Sequence, residues 1–227
     1  MIGGLQKVTL LDFPGKVACT VFLTGCNLRC PYCHNPELVL PRNNGETVSE
    51  NGLFEFLFSR KGKLDGVCIT GGEPTLYPNL TNLIRRIREM GFLVKLDSNG
   101  TVPEILNLLL REKLLDYVAI DIKNAPSQYA ETCGADVIKY VEKSVALLKN
   151  SNIDYEFRTT VCHPFHSPKS MEEIGCWLRN AKRYYIQPFV DSGNLLGSGI
   201  SAMAKPELKT LLKAVKSYIP SAELRGV

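Results

Sequence analysis

The chain has 227 residues, 44% of them hydrophobic, and a formal net charge of +4. That length allows one large domain with a sizeable core, and so mild a charge gives no footprint for nucleic acid. Met1-Ile-Gly-Gly-Leu-Gln-Lys7 has no apolar leader, and no run reaches the about 18 apolar residues of a membrane span. The expectation is therefore a cytoplasmic protein with neither membrane nor nucleic acid as a partner. In that reducing compartment its eight cysteines point to metal or catalysis rather than to disulfides.

Taken in chain order, short β-branched and apolar runs alternate with amphipathic stretches. Strands are predicted over 17–24, 66–70, 92–97, 117–122, 154–161 and 183–187. Runs this short and apolar suit parallel strands covered on both faces. Helical stripes fall at Leu80, Leu83, Ile84 and Ile87, at Ile138, Val141, Val145 and Leu148, and at Leu208, Leu211, Leu212, Val215 and Ile219. The basic cluster Arg85-Arg86-Ile87-Arg88 reads as the wet face of the first of these. Capping boxes are predicted at Thr47 with Glu50, Thr101 with Glu104 and Ser170 with Glu173. The stretches 41–45 and 162–168 read as loops, with His163 and His166 at the surface. Six β units with intervening helices predict a partial, open (β/α)6 barrel of parallel strands, with a flat doubly wound sheet as the alternative. One domain is expected over 1–227, its core at about 12–190 and a C-terminal helix at about 206–219.

In either geometry chemistry gathers at the carboxyl ends of the strands. The first predicted strand runs into Cys26-Asn-Leu-Arg-Cys30-Pro-Tyr-Cys33, the second into Gly71-Gly72-Glu73-Pro74 and the third into Asp97-Ser98-Asn99-Gly100. The fourth ends at Asp121-Ile-Lys123, the fifth carries Arg158 and the sixth ends at Gln187-Pro188-Phe189. Three thiolates on one loop are one short of the four that normally hold a [4Fe–4S] cluster, so one iron would be left open. A zinc site completed by His34 is the alternative, but His34 adjoins Cys33 and no second ligand pair follows. Cys19 and Cys68 read as small buried residues; Cys133, Cys162 and Cys176 lack ligand spacing.

The CxxxCxxC loop after the first strand, with the ordered strand-end motifs, resembles the radical S-adenosylmethionine (SAM) enzymes. The resemblance spans residues 12 to 190. It implies one [4Fe–4S] cluster on Cys26, Cys30 and Cys33, with SAM bound at the open iron by its amine and carboxylate. It further implies Tyr32 near the adenine and the Gly71-Gly72-Glu73 segment beside the SAM amine. Asp97 and Asp121 resemble a pair that holds a monovalent cation beside the SAM carboxylate in glycyl-radical activases, with Lys123 and Arg158 as SAM-facing cations. From the residues alone, Asp97 also suits a turn cap, Asp121 with Lys123 a surface ion pair, and Arg158 a solvent-facing position.

Two flanks narrow the resemblance. Cys33-His34-Asn35-Pro36 is similar to the CHNP continuation of glycyl-radical activating enzymes, and Asp12-Phe13-Pro14-Gly15 resembles the DFPG segment of activators of anaerobic (class III) ribonucleotide reductase. By that resemblance the partner is a glycyl radical enzyme, best the anaerobic ribonucleoside-triphosphate reductase. The reductant is a low-potential donor such as flavodoxin or ferredoxin, and Asp12 helps to receive the substrate loop, unless it is an ordinary turn residue. The pyruvate formate-lyase activase has a histidine after its sixth strand; Gln187-Pro188-Phe189-Val190 stands there in this chain, so Gln187 is the candidate for the ribose. No further CxxC motif lies between Cys33 and Gly71, which leaves one cluster. A radical SAM enzyme acting on a small molecule, such as 7-carboxy-7-deazaguanine synthase, is the alternative within the superfamily, and a non-enzymatic iron–sulfur or zinc module the alternative outside it.

Overall fold

A computed structural model describes residues 1–40 and 47–227. The eight strands, in chain order, are β1 (Ile2–Thr9), β2 (Ala18–Leu23), β3 (Gly66–Gly71), β4 (Leu93–Ser98), β5 (Tyr117–Asp121), β6 (Asp154–Val161), β7 (Tyr184–Pro188) and β8 (Ala222–Leu224). They form one sheet in the order β1 to β8. From β2 onward every pairing is parallel, while β1 runs antiparallel to β2. The first and last strands do not pair, so the sheet is an open partial barrel rather than a closed ring.

The six predicted strands are all present, and the open parallel architecture is the one expected. The two additional strands lie at the edges. β1 begins Ile-Gly-Gly and has an exposed middle, and β8 has three residues. Edge strands bury little and so carry a weak apolar signal.

The helices are α1 (Pro36–Val39), α2 (Glu50–Ser59), α3 (Leu80–Glu89), α4 (Pro103–Arg111), α5 (Tyr129–Cys133), α6 (Ile138–Lys149), α7 (Pro168–Trp177) and α8 (Lys205–Lys216). The three stripes predicted from sequence face the core, although Ile138 and Leu212 are half-buried and Ile219 lies just past the end of α8. The predicted capping residues are displaced. The N-cap of α2 is Ser49, which accepts from Gly52 N; that of α7 is Ser167, with Ser170 as its reciprocal partner. Pro103 opens α4 after Val102, while Thr101 bonds to Asn99 instead. In each case a Pro or Ser nearer the helix holds the boundary, and Pro at the first helical position needs no partner for its missing N–H. The loop expected at 41–45 lies outside the described residues.

The expectation of apolar cover on both faces of the strands needs correction. Alternate strand residues such as Val21, Ile69, Leu96, Val118, Phe157 and Ile186 enter one core with the helices. Their neighbours Thr20, Lys95, Asp97, Asp121, Glu156 and Arg158 take the other face, because successive strand side chains point opposite ways. That inner face is polar. Only Phe13, Ala18 and Tyr117, with Leu93 against them, form a small apolar floor at the amino ends of the strands.

Candidate active site

The loop leaving β2 is fixed at several backbone points. Gly25 N donates to Leu38 O at 2.7 Å and Arg29 N to Cys133 O at 2.9 Å. The Arg29 guanidinium folds back onto Cys26 O (2.7 Å) and Leu28 O (2.8 Å). Cys33 N donates to Cys30 O at 3.1 Å, closing a tight turn around Pro31 and Tyr32. Cys26, Cys30 and Cys33 thereby line one cavity, together with Gly71, Gly72, Asp97, Asp121 and Lys123.

This donor set fits a cluster better than a single ion. Thiolates on one zinc at about 2.3 Å would crowd together around it. Among the described residues no three Cys, His, Asp or Glu groups converge that closely. His34, the proposed fourth zinc ligand, stacks on Phe189 with ring centroids 5.4 Å apart and planes at 16°. Burial pushes the Cys30 thiol up to about 12 against the opposing charge of Lys123, and burial also raises Cys26.

The two glycines after β3 are demanded by packing as well as by any ligand. A Cβ on Gly71, whose φ is +124°, would lie 2.2 Å from Leu23 O; one on Gly72 would lie 2.2 Å from Gly25 O. The end of β3 is thus pressed against the start of the cysteine loop, where Gly72 N donates to Leu23 O and Glu73 N to Gly25 O. The Glu73 side chain is not at the cavity surface. It is 1% exposed and accepts from Thr75 N (3.0 Å), Thr75 Oγ1 (2.5 Å), Ser98 Oγ (2.7 Å) and Asn99 N (2.6 Å). Burial raises its pKa, and the donors from Asn99, Thr75 and Ser98 pull it back down. Glu73 ties the end of β3 to the end of β4. Asn99, which the sequence reading did not single out, extends that tie: its Nδ2 donates to Asn27 Oδ1 at 3.1 Å, inside the cysteine loop.

On the inner face Asp97, Asp121 and Arg158 come together, so Arg158 does not face solvent. Arg158 Nη1 lies 3.0 Å from Asp97 Oδ2, and its Nη2 2.8 Å from Asp121 Oδ1. Lys95 pairs with Asp97 Oδ1, and Lys123 Nζ lies 3.3 Å from Asp121 Oδ2. Burial opposes the charge on Asp121, but the Arg158 and Lys123 charges outweigh it and hold its carboxyl below the usual range. The chain of charges continues downward. Glu156 takes Arg225 Nη1 at 2.7 Å and Nη2 at 2.9 Å, and Tyr117 OH at 2.8 Å. None of Lys95, Glu156 and Arg225 was identified from sequence. The signal was present for two of them in the alternation Val94-Lys95-Leu96-Asp97 and Tyr155-Glu156-Phe157-Arg158.

Tyr32 lines the cavity and donates through its hydroxyl to Lys123 O at 3.1 Å. His166, expected at the surface, is 3% exposed and reaches the same carbonyl through Nε2 at 3.0 Å. His163, also expected at the surface, is half-buried and meets Glu207 at 3.0 Å. Gln187 is aligned with Thr160 on β6, and it is Thr160 that reaches the cavity wall. Asp12 accepts from Thr20 Oγ1 at 2.5 Å, which turns it toward the inner face of β2. Of the remaining cysteines, Cys19, Cys68, Cys133 and Cys162 are buried, Cys176 is exposed, and all are free thiols.

Residues 20–176 match the Radical SAM superfamily model. The whole chain is 34% identical, over 238 aligned residues, to a Methanocaldococcus jannaschii protein named as a glycyl-radical enzyme activating enzyme, covering 96% of it. A 7-carboxy-7-deazaguanine synthase of Methanopyrus kandleri is 34% identical over 49% of this chain and 51% of its own length. Among solved structures, Streptococcus suis SuiB bound to precursor peptide SuiA shares the fold with a TM-score of 0.70 at 17% identity, over 91% of this chain and 48% of that one.

Proposed function

The chain belongs to the radical SAM superfamily, and from that premise we propose that it installs a glycyl radical on a partner enzyme, the anaerobic ribonucleoside-triphosphate reductase being the partner we name. The observation that carries this reading is the likeness to the M. jannaschii activating enzyme over the whole chain, termini included. The CHNP and DFPG segments around the cysteine loop support it.

On this reading Cys26, Cys30 and Cys33 hold three irons of one [4Fe–4S] cluster and leave the fourth for SAM. When bound, the two together supply the reductive cleavage that yields a 5′-deoxyadenosyl radical, which takes hydrogen from a glycine of the partner. The chain's own residues bind, orient and exclude water. Backbone at Gly71 and Gly72 faces the SAM amine, Lys123 and Arg158 its carboxylate, Tyr32 its adenine and Gln187 its ribose. Asp12, in the loop entering β2, meets the incoming glycine segment. Such a segment enters through the gap between β1 and β8. A flavodoxin or ferredoxin supplies the electron, in the cytoplasm. The free thiols support a reducing compartment, and among the described residues no helix is long and apolar enough to cross a membrane. We take residues 1–227 to act as one unit.

The reading is tested by incubating the reduced, cluster-loaded protein with SAM and the reductase and recording the electron paramagnetic resonance spectrum. A glycyl doublet on the reductase is expected. SAM cleavage without a doublet would remove the activase reading. It would favour a radical SAM enzyme acting on a small molecule, the reading supported by the synthase of M. kandleri.

A further inference from the structure

The likeness to the activases brings with it a monovalent cation shared by Asp97 and Asp121, and the side chains in this chain do not fit one. Every oxygen of the two carboxylates already accepts from a cationic nitrogen. Asp97 Oδ1 takes Lys95 and its Oδ2 takes Arg158 Nη1 at 3.0 Å. Asp121 Oδ1 takes Arg158 Nε at 2.9 Å and Nη2 at 2.8 Å, and its Oδ2 takes Lys123 at 3.3 Å. The guanidinium lies between the two carboxylates, where a shared ion would have to sit.

We propose that the Arg158 guanidinium stands in the place of that ion, so that this chain presents a built-in cation at the carboxylate end of SAM and binds no monovalent metal there. The inference rests on the reading that SAM occupies this cavity.

The charges in direct contact support it. Three carboxylates, Asp97, Asp121 and Glu156, meet four cations, Lys95, Lys123, Arg158 and Arg225. An added ion would enter a network with no excess of negative charge to attract it. It would also have to displace a planar donor fork that fits carboxylates better than a spherical ion does. The arm to Asp97 is shielded, the Arg158 side chain being 15% exposed and that of Asp97 10%, while that of Asp121 is 35% exposed. Bulk cations therefore compete poorly for the Asp97 oxygens. Lys123, whose carbonyl is gripped by Tyr32 and His166, lines the cavity and shares Asp121 with Arg158, which leaves the SAM carboxylate a second fixed positive group.

The test uses the cluster-loaded protein in potassium, sodium or tetramethylammonium chloride at one ionic strength, the last ion being too large to enter. SAM binding is followed by calorimetry and by the change it causes in the spectrum of the reduced cluster. Dissociation constants agreeing within about twofold across the three salts are expected, where a coupled cation would separate them by about 5- to 150-fold. A second measurement omits SAM: thermal melting of the same protein as potassium replaces tetramethylammonium should show no saturable rise, since nothing binds. A saturable rise, or tighter SAM binding in potassium or sodium, overturns the inference. Absence of SAM binding in all three salts would count against the SAM reading, with the melting measurement still deciding the cation question. Arg158→Ala opens the space between the carboxylates and should create a potassium dependence that the unmodified chain lacks. Arg158→Lys, which keeps the charge but loses the fork, should show a smaller one.

Discussion

His166 shows how one buried side chain can set the geometry of a site it does not line. Its Nδ1 accepts from Cys162 N at 3.2 Å, so the proton sits on Nε2, which donates to Lys123 O at 3.0 Å. Tyr32 donates to the same carbonyl, and its ring packs edge-on against the imidazole. The cysteine loop, the end of β5 and the loop after β6 therefore meet at one oxygen. Burial holds the His166 pKa below its ordinary value, with the nearby carbonyls of Lys123 and Cys162 opposing that shift only in part. The linkage has a definite sign. The unfolded chain takes up the proton first, so this contribution is complete above the ordinary histidine value of about 6.5 and is lost as pH falls through the lower folded value. Urea unfolding should show a loss of stability between about pH 7.5 and about pH 5.5 that His166→Gln, which keeps a donor and removes the titration, flattens. An unchanged slope in that variant would remove His166 as its source.

At the scale of elements, the segment after β7 is a strap laid across the cysteine loop. Phe189 stacks on His34, Ser192 Oγ reaches His34 O at 3.5 Å, and Gly197 N donates to Pro31 O at 2.9 Å. A Cβ on Gly197 would lie 2.5 Å from Pro31 Cβ and 3.0 Å from its Cα, so no side chain fits between strap and loop. Pro31 stands between Cys30 and Cys33, and a shift of the strap moves the thiols. His163 N donating to Ser201 O, with the His163 to Glu207 pair beside it, anchors the far end. Gly197→Ala should destabilise the chain by about 1–3 kcal/mol through overpacking. It should also lower the iron retained after anaerobic reconstitution. Thermal melting reads the first effect and iron and sulfide analysis the second; full iron content with an unaltered cluster spectrum would separate the strap from the cluster.

For the molecule as a whole, the inner face is a set of balanced charges in a half-closed barrel. Glu156 is 1% exposed and is held below the usual carboxylate range because Arg225 and Arg158 together outweigh the burial that would raise it. Arg225, just beyond the short last strand β8, thus closes the lower end of the network with the strand opposite. Glu156→Gln leaves the Arg225 guanidinium without its counter-charge, while Arg158 keeps Asp97 and Asp121, and should cost about 3 kcal/mol. Adding Arg225→Gln should recover part of that loss, as coupled partners do in a double-mutant cycle; strictly additive losses in urea unfolding would show the pair to be independent. How much of this was legible in the chain differs with the kind of interaction. Six strands, three helical stripes and the cysteine loop were readable because each rests on local spacing: apolar period, thiol separation and the residues that follow a strand. The caps shifted by one to three residues, because neighbouring Ser and Pro compete for a boundary within a single turn. The edge strands were missed because their stability comes from a neighbour and not from their own apolar content. The sequence by itself thus determined the cysteine loop, the six parallel strands and the family. The tertiary structure decided which charges meet. It turned Arg158 inward between Asp97 and Asp121, moved Glu73 from the cavity wall to the joint behind it, and buried His166. The reason is that Coulomb attraction and hydrogen bonding act over a few ångströms of space, and residues 26 to 69 positions apart reach that range only once the sheet has formed.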